Sequence, residues 1–123
     1  MEEKLTQLID RLLSQTRSEK RKWEYFSDER VIRTDVSKGL VRIGQFWYSY
    51  DGDRLVRDIS FSENAPEYLV ELLDERGNLT DEIEIKKTSK AYESTHELYK
   101  IVTTRLREKN TGKLLDEILL AIG

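Results

Sequence analysis

Residues 40–50 form an unbroken run rich in β-branched and aromatic side chains, the residue types that favour β-strands. Asp51-Gly52 follows directly, and this dipeptide accepts the positive φ angles of a tight two-residue turn. A second strand pattern, residues 54–61, comes next. The sequence therefore predicts a central β-hairpin with Asp51-Gly52 as its loop, which places Tyr48 opposite Leu55. Any fold of this chain must be built around antiparallel strands.

Helical periodicity flanks the hairpin at both ends of the chain. A helix over residues 2–16 is predicted from apolar residues that recur every three or four positions: Leu5, Leu8, Ile9, Leu12 and Leu13. A second helix is predicted to begin near residue 88, and Asn110-Thr111-Gly112 is expected to end it. A short last helix then carries Leu114, Leu115, Ile118, Leu119 and Ile122. We therefore expect a C-terminal helix pair.

The remaining strand patterns lie on both sides of the hairpin. Residues 23–26 and 30–36 precede it, and residues 78–86 follow it with alternating apolar and polar side chains. Residues 68–73 fit either a short helix or a strand paired with 78–86, and we favour the strand. Because helices and strands occur in separate blocks, the chain is predicted to be one α+β domain of 123 residues. Its antiparallel sheet has about five strands built from hairpins.

Composition excludes several kinds of chemistry. The chain has no cysteine, which excludes disulfides, thiolate metal sites and cysteine nucleophiles. Its single histidine excludes metal sites that need two. No stretch approaches the roughly 18 apolar residues of a membrane span, and the chain opens with acidic residues instead of a basic signal sequence. We expect a cytoplasmic protein with no membrane partner.

Motifs for cofactors, metals and catalysis fail on their chemistry. Residues 39–46 have the glycine spacing of a phosphate-binding loop but offer Gln45 and Phe46 where lysine and a hydroxyl are required. Three aspartates near the turn are spaced like part of a calcium loop: Asp51, Asp53 and Asp58. The glycine and glutamate that such a loop requires are missing. We expect no cofactor, no metal and no catalytic residue, and a binding protein in preference to an enzyme.

The leading functional hypothesis is a non-catalytic intracellular interaction module that self-associates. Two or three helices can cover one face of a five-stranded sheet, so the other face is expected to remain exposed. An exposed apolar face marks an interaction surface. The side chains expected on it are Trp47, Ile43, Val41 and Val56. A homo-oligomer follows, most simply a dimer, which also binds a protein partner or a regulatory ligand. If the helices instead cover both faces, the protein is a monomer.

Two alternatives depend on other residues. A basic and aromatic cluster has the chemistry that grips single-stranded nucleic acid: Arg17, Lys20, Arg21, Lys22, Trp23, Arg42 and Arg57. The net charge of −3 disfavours a nucleic-acid partner. A small ligand or nucleotide could instead bind between sheet and helices near Tyr92, His96 and Tyr99, which share one helical face. Packing at the edge of the core is the competing interpretation of His96.

Overall fold

A computed structural model describes residues 2–60 and 62–123, with an antiparallel sheet and two helices. The elements in chain order are α1 (Glu2–Arg17), β1 (Glu24–Phe26), β2 (Val31–Val36), β3 (Gly39–Asp51), β4 (Arg54–Asp58), β5 (Glu67–Leu73), β6 (Leu79–Ile85) and α2 (Tyr92–Ile122). The predicted α+β class, the N-terminal helix and the hairpin-built sheet are confirmed. Residues 68–73 form a strand, as favoured.

The long strand β3 organises the sheet. Its first half pairs with β2 on one side and with β5 on the other, and its last five residues pair with β4. The order of the main sheet is β1-β2-β3-β5-β6, with β4 continuing alongside the end of β3. Every neighbouring pair is antiparallel. Consecutive strands form four of these pairs, whereas β3 and β5 are separated in the chain by β4.

The hairpin between β3 and β4 is present, but its predicted register is wrong by two residues. Asp51 pairs with Arg54, so the loop is Gly52-Asp53 and Tyr48 lies opposite Arg57. Gly52 alone takes a positive φ, +63°, at the first central position, as a type II′ turn requires. Asp51 therefore stays in the strand. A shift of two residues keeps every side chain on its predicted face. The predicted second strand ends at Asp58, and Phe61 lies outside the described residues.

Both helices pack on the same face of the sheet. Ile32, Ile43 and Val70 are adjacent across β2, β3 and β5 on that face, and none of them is exposed. The helices cover these residues with their own apolar side chains: Leu5, Ile9, Leu12 and Leu13 from α1, and Leu98, Tyr99 and Val102 from α2. The apolar side of the amphipathic helix α1 thus forms one side of a single hydrophobic core.

The expected exposure of the sheet face around Trp47 is wrong. Val41, Ile43 and Trp47 are buried, and Val56 is half-buried. Alternate residues of a strand share a face, so Val41, Ile43 and Trp47 lie together on the side that the helices cover. Two helices are needed to cover a sheet this wide, which leaves none for the opposite face.

No helix covers the opposite face of the sheet, which we call the open face. Charged side chains lie there over a thin layer of apolar side chains. Arg42 Nε lies 3.9 Å from Glu71, and Arg57 lies 3.2 Å from Glu82 and 3.5 Å from Glu84. Tyr48 also donates its hydroxyl to Glu84, and this hydrogen bond is the main cause that raises the pKa of Tyr48 to about 12. Paired charges of this kind keep a sheet face solvated.

The predicted C-terminal helix pair is wrong, because α2 is one helix of 31 residues. Asn110 and Gly112 are weak helix formers, but their cost is only about 1 kcal/mol each and does not forbid a helix. Gly112 keeps a helical backbone instead of the left-handed conformation that often ends helices. None of the helices within the described ranges combines the length and apolarity needed to cross a membrane.

Candidate interaction and ligand sites

The second half of α2 carries an exposed apolar surface. Its residues, which we call the C-terminal stripe, are Leu114, Leu115, Ile118, Leu119 and Ile122. Their exposures range from 44 to 79 %. Aliphatic residues that stay exposed together, instead of singly, are typical of a surface that contacts another molecule.

The C-terminal stripe points away from the core. At about 100° per residue, the stripe lies about half a turn around the helix from Leu98 and Val102, which pack on the sheet. The stripe therefore cannot extend the packing of the first half of α2. The stripe instead forms a second apolar surface that faces a different direction.

The helix around the stripe lacks support from the domain. The buried residues of α2 all lie between Thr95 and Thr103, and every residue from Arg107 onward is exposed. Most helical stability in proteins comes from tertiary packing, and the segment from Arg107 to Ile122 has no buried residue. Asn110 and Gly112 weaken this segment further.

A separate cleft of about 450 Å³ opens between α2 and the sheet, on the helix-covered side. Aromatic side chains form much of its wall: Tyr25, Trp47, Tyr68, His96 and Tyr99. Two hydrogen bonds hold the loop at its rim. Trp47 Nε1 donates to the Asn64 carbonyl at 2.7 Å, and the Tyr92 hydroxyl donates to the Pro66 carbonyl at 2.7 Å.

A hydrogen-bonded chain lies at the base of the cleft. Gln45 Nε2 donates to the Tyr68 hydroxyl at 3.3 Å, and that hydroxyl lies 2.6 Å from His96 Nδ1. A hydroxyl can accept two hydrogen bonds and donate one, so Tyr68 either donates to Nδ1 or accepts from it, according to the tautomer of His96. Burial raises the pKa of Tyr68, so the hydroxyl stays protonated.

Tyr99 is the other buried phenol of the cleft. Burial raises the pKa of Tyr99, and nearby Tyr25 raises it further. Its hydroxyl is buried and interacts with the side chain of Tyr25, outside strict hydrogen-bond geometry.

Cations surround the mouth of the cleft. Arg30, Lys100 and Arg107 line it, against the single carboxylate of Glu63. The Arg30 guanidinium lies 5.5 Å from the centre of the Trp47 ring and donates to the Ile59 carbonyl at 2.8 Å. The cleft therefore joins aromatic surface to an excess of positive charge.

The structure brings together two of the three residues predicted near a ligand. His96 and Tyr99 line the cleft. The Tyr92 ring instead stacks against His96, with 9° between the ring planes, and its hydroxyl donates to the Pro66 carbonyl at the rim. Sequence reasoning missed Lys100 and Arg107. Their spacing in the sequence could have identified them, because the positions four and eleven residues after His96 lie on nearly the same side of a helix as His96.

The predicted nucleic-acid cluster is not one surface. Its first five members, residues Arg17, Lys20, Arg21, Lys22 and Trp23, lie at the end of α1 and in the loop after it. Arg42 and Arg57 lie on the open face of the sheet, opposite α1, where glutamates pair with them. Within the described ranges there is also no group of three or more metal-ligating side chains.

Comparisons with family models, with curated proteins and with solved structures find no match to this chain. Function must therefore be inferred from the C-terminal stripe and the cleft themselves.

Proposed function

We propose that this protein is an interaction module that self-associates through the C-terminal stripe, as a dimer in which the two α2 helices pack against each other. The observation that carries the proposal is the position of the stripe, which is exposed and faces away from the domain's own core. The apolar residues of the stripe have the periodicity of a helix–helix interface, and they do not pack against the rest of the domain.

The size of the stripe suits a modest dimer. Its exposed side chains amount to about three fully exposed aliphatic residues per chain, each contributing roughly 1.5–3 kcal/mol on burial. Two copies therefore gain roughly 9–18 kcal/mol if the stripe is fully buried, against an association cost of roughly 4–15 kcal/mol. A symmetric dimer needs only this one surface, because each copy presents the same patch to the other.

The charges on the segment lie away from the stripe. Lys109 and Lys113 precede it, and Asp116 and Glu117 lie between its residues in sequence. At about 100° per residue, all four side chains fall on the side of α2 opposite the stripe, so a stripe-to-stripe contact leaves them solvated. The paired charges on the open sheet face leave that face solvated and outside the interface.

Leu115→Glu tests this interface, with Leu55→Glu as its matched control. The two leucines are 53 and 56 % exposed, but Leu55 lies on β4, far from the stripe in sequence and fold. In the dimer each copy loses about half of a leucine's burial, roughly 1 kcal/mol, and gains a charge in an apolar contact. Sedimentation equilibrium should show self-association weakened by roughly a hundredfold or more.

Leu55→Glu should leave the dimer unchanged, and circular dichroism should show both variants folded. Equal dimer dissociation constants for wild type and Leu115→Glu would refute the proposed interface. A loss of self-association in Leu55→Glu alone would move the interface to the sheet.

A further inference from the structure

The C-terminal stripe does not by itself decide how the two α2 helices of the dimer are oriented. An aliphatic surface packs on a parallel or an antiparallel copy, because the hydrophobic effect has no direction. The charges within the stripe segment do not decide the orientation either, since they lie on the solvated side of α2. The residues that can decide it are those that precede the stripe on the same side of the helix.

Arg107 and Glu108 lie on that side, one on each flank of the stripe. At about 100° per residue, the midline of the stripe passes close to Thr111 and Ile118, and Arg107 and Glu108 lie about 50° to either side of it. Both are exposed, and as neighbours in a helix they do not face each other.

Neither of these two charges has an ion pair within the chain. The arginines of the sheet and of α1 pair with glutamates, whereas Arg107 and Glu108 pair with none of the residues described. The chain therefore presents two opposite charges beside the apolar stripe and leaves both open to a second copy.

A parallel dimer gives both charges a partner. A two-fold axis that runs along the helices brings each flank of α2 against the opposite flank of the second copy, at the same height. Arg107 of one copy then faces the partner's Glu108, and the symmetry repeats this ion pair. Charged residues beside the apolar seam of a coiled coil set the orientation of the partner helix in the same way.

An antiparallel dimer does not form these ion pairs. If the two stripes pack with Ile118 at the centre, Arg107 lies about three helical turns to one side of it and the partner's Glu108 about three turns to the other side. The two side chains are then roughly 30 Å apart, well beyond the screening length of about 8 Å at physiological salt.

The domain leaves room for the parallel arrangement. Leu98 and Val102, which pack α2 on the sheet, lie about half a turn around the helix from the stripe. The two sheets therefore lie on the outer sides of the paired helices. Thr104 and Thr111 are exposed on the inner side, and their small side chains allow the helices to approach.

We propose that the two α2 helices of the dimer run parallel, with Arg107 of each copy in an ion pair with the partner's Glu108. This inference rests on the proposed self-association through the C-terminal stripe. It adds the orientation of the second copy and a polar contact outside the stripe.

A single introduced cysteine tests the orientation, because the chain has no cysteine of its own. In parallel helices that pack 8–10 Å apart, facing Cα atoms at the midline lie roughly 4–6 Å apart, which a disulfide can span. Thr111→Cys should therefore form a cross-linked dimer under mild oxidation, visible on a non-reducing gel. In the antiparallel dimer the two cysteines would lie roughly 20 Å apart.

Lys113→Cys is the matched control, because Lys113 is exposed on the same segment but on the side opposite the stripe. It should remain uncross-linked over the time that converts Thr111→Cys. Sedimentation equilibrium of the reduced variants separates the two claims. A reduced dimer that cross-links equally well at both positions, or at neither, would overturn the parallel orientation and leave self-association standing. Reduced variants and wild type that are all monomeric would overturn self-association itself.

Charge exchange tests the ion pair. Arg107→Glu replaces two ion pairs with two like-charge contacts, so the dimer dissociation constant should rise roughly tenfold. The double variant Arg107→Glu/Glu108→Arg restores opposite charges at both contacts and should return to within about twofold of wild type. Lys109→Glu makes the same change of charge on the opposite side of α2 and should dimerise like wild type. Equal weakening by Arg107→Glu and Lys109→Glu, or no recovery in the double variant, would overturn the ion pair.

Discussion

Gly112→Ala should stabilise the second half of α2. Gly112 lies within the exposed second half of the helix, and a Cβ built on it meets no atom within 4 Å. Glycine in a helix interior costs roughly 0.5–1 kcal/mol relative to alanine, because it loses more backbone freedom on folding. Alanine therefore removes this cost with no steric penalty.

Gly52→Ala is the informative control for this substitution. A Cβ at Gly52 also meets no atom within 4 Å, so the two sites offer equal space. Gly52, however, has a φ of +63°, where an L side chain costs roughly 1–2 kcal/mol. The same chemical change should thus stabilise at one position and destabilise at the other.

Native-state hydrogen exchange and urea unfolding separate the two effects. In Gly112→Ala, amides of residues 113–122 should exchange up to roughly fivefold more slowly, the factor that corresponds to about 1 kcal/mol. Gly52→Ala should lower the global free energy of unfolding by roughly 1 kcal/mol. Unchanged or faster exchange of residues 113–122 in Gly112→Ala would refute the account of an unsupported, continuous helix.

Two further predictions concern the sheet and the buried phenols. Gly39→Ala should lower the free energy of unfolding by roughly 3 kcal/mol or more, since its Cβ would lie 2.0 Å from the Leu73 carbonyl oxygen at a φ of +155°. A loss of unfolding free energy in urea no larger than that of Gly52→Ala would contradict this. Burial raises the pKa of Tyr68 and Tyr99 above the ordinary value of 10.0, so their contribution to stability is complete below pH 10 and is lost as the pH rises above it. Tyrosinate absorbance should show these two phenols ionising only with unfolding; titration of all tyrosines near pH 10 in the folded protein would be inconsistent with the structure.

Local patterns predicted most of the elements. Period-two alternation identified the strands, and the leucine spacing near the N-terminus identified α1. The exact turn residues were not predicted, because Asp51-Gly52 and Gly52-Asp53 are both reasonable choices for the two central residues of the turn. The choice depends on a single backbone angle at Gly52, which composition does not reveal.

The side of the sheet that the helices cover was not predictable from alternation alone. Both faces of β3 carry large apolar side chains, with Ile43 and Trp47 on one side and Phe46 and Tyr48 on the other. Alternation assigns residues to shared faces but does not state which face the helices choose. That choice is made by packing between elements distant in sequence.

The candidate sites were predictable to different degrees. Leu115 and its neighbours were recognised as an apolar helical face, but their separation from the core depends on α2 continuing through Gly112. The ligand cleft was located only through His96 and Tyr99. Arg30 and Trp47 reach the cleft from other strands and loops, and only the tertiary fold brings them to it.

Native mass spectrometry of the wild-type chain, over a range of protein concentrations, tests the central claim most directly. Self-association through the C-terminal stripe predicts a species at twice the chain mass of 14.5 kDa, increasing with concentration and nearly lost in Leu115→Glu. A single species at 14.5 kDa at every concentration would contradict the account.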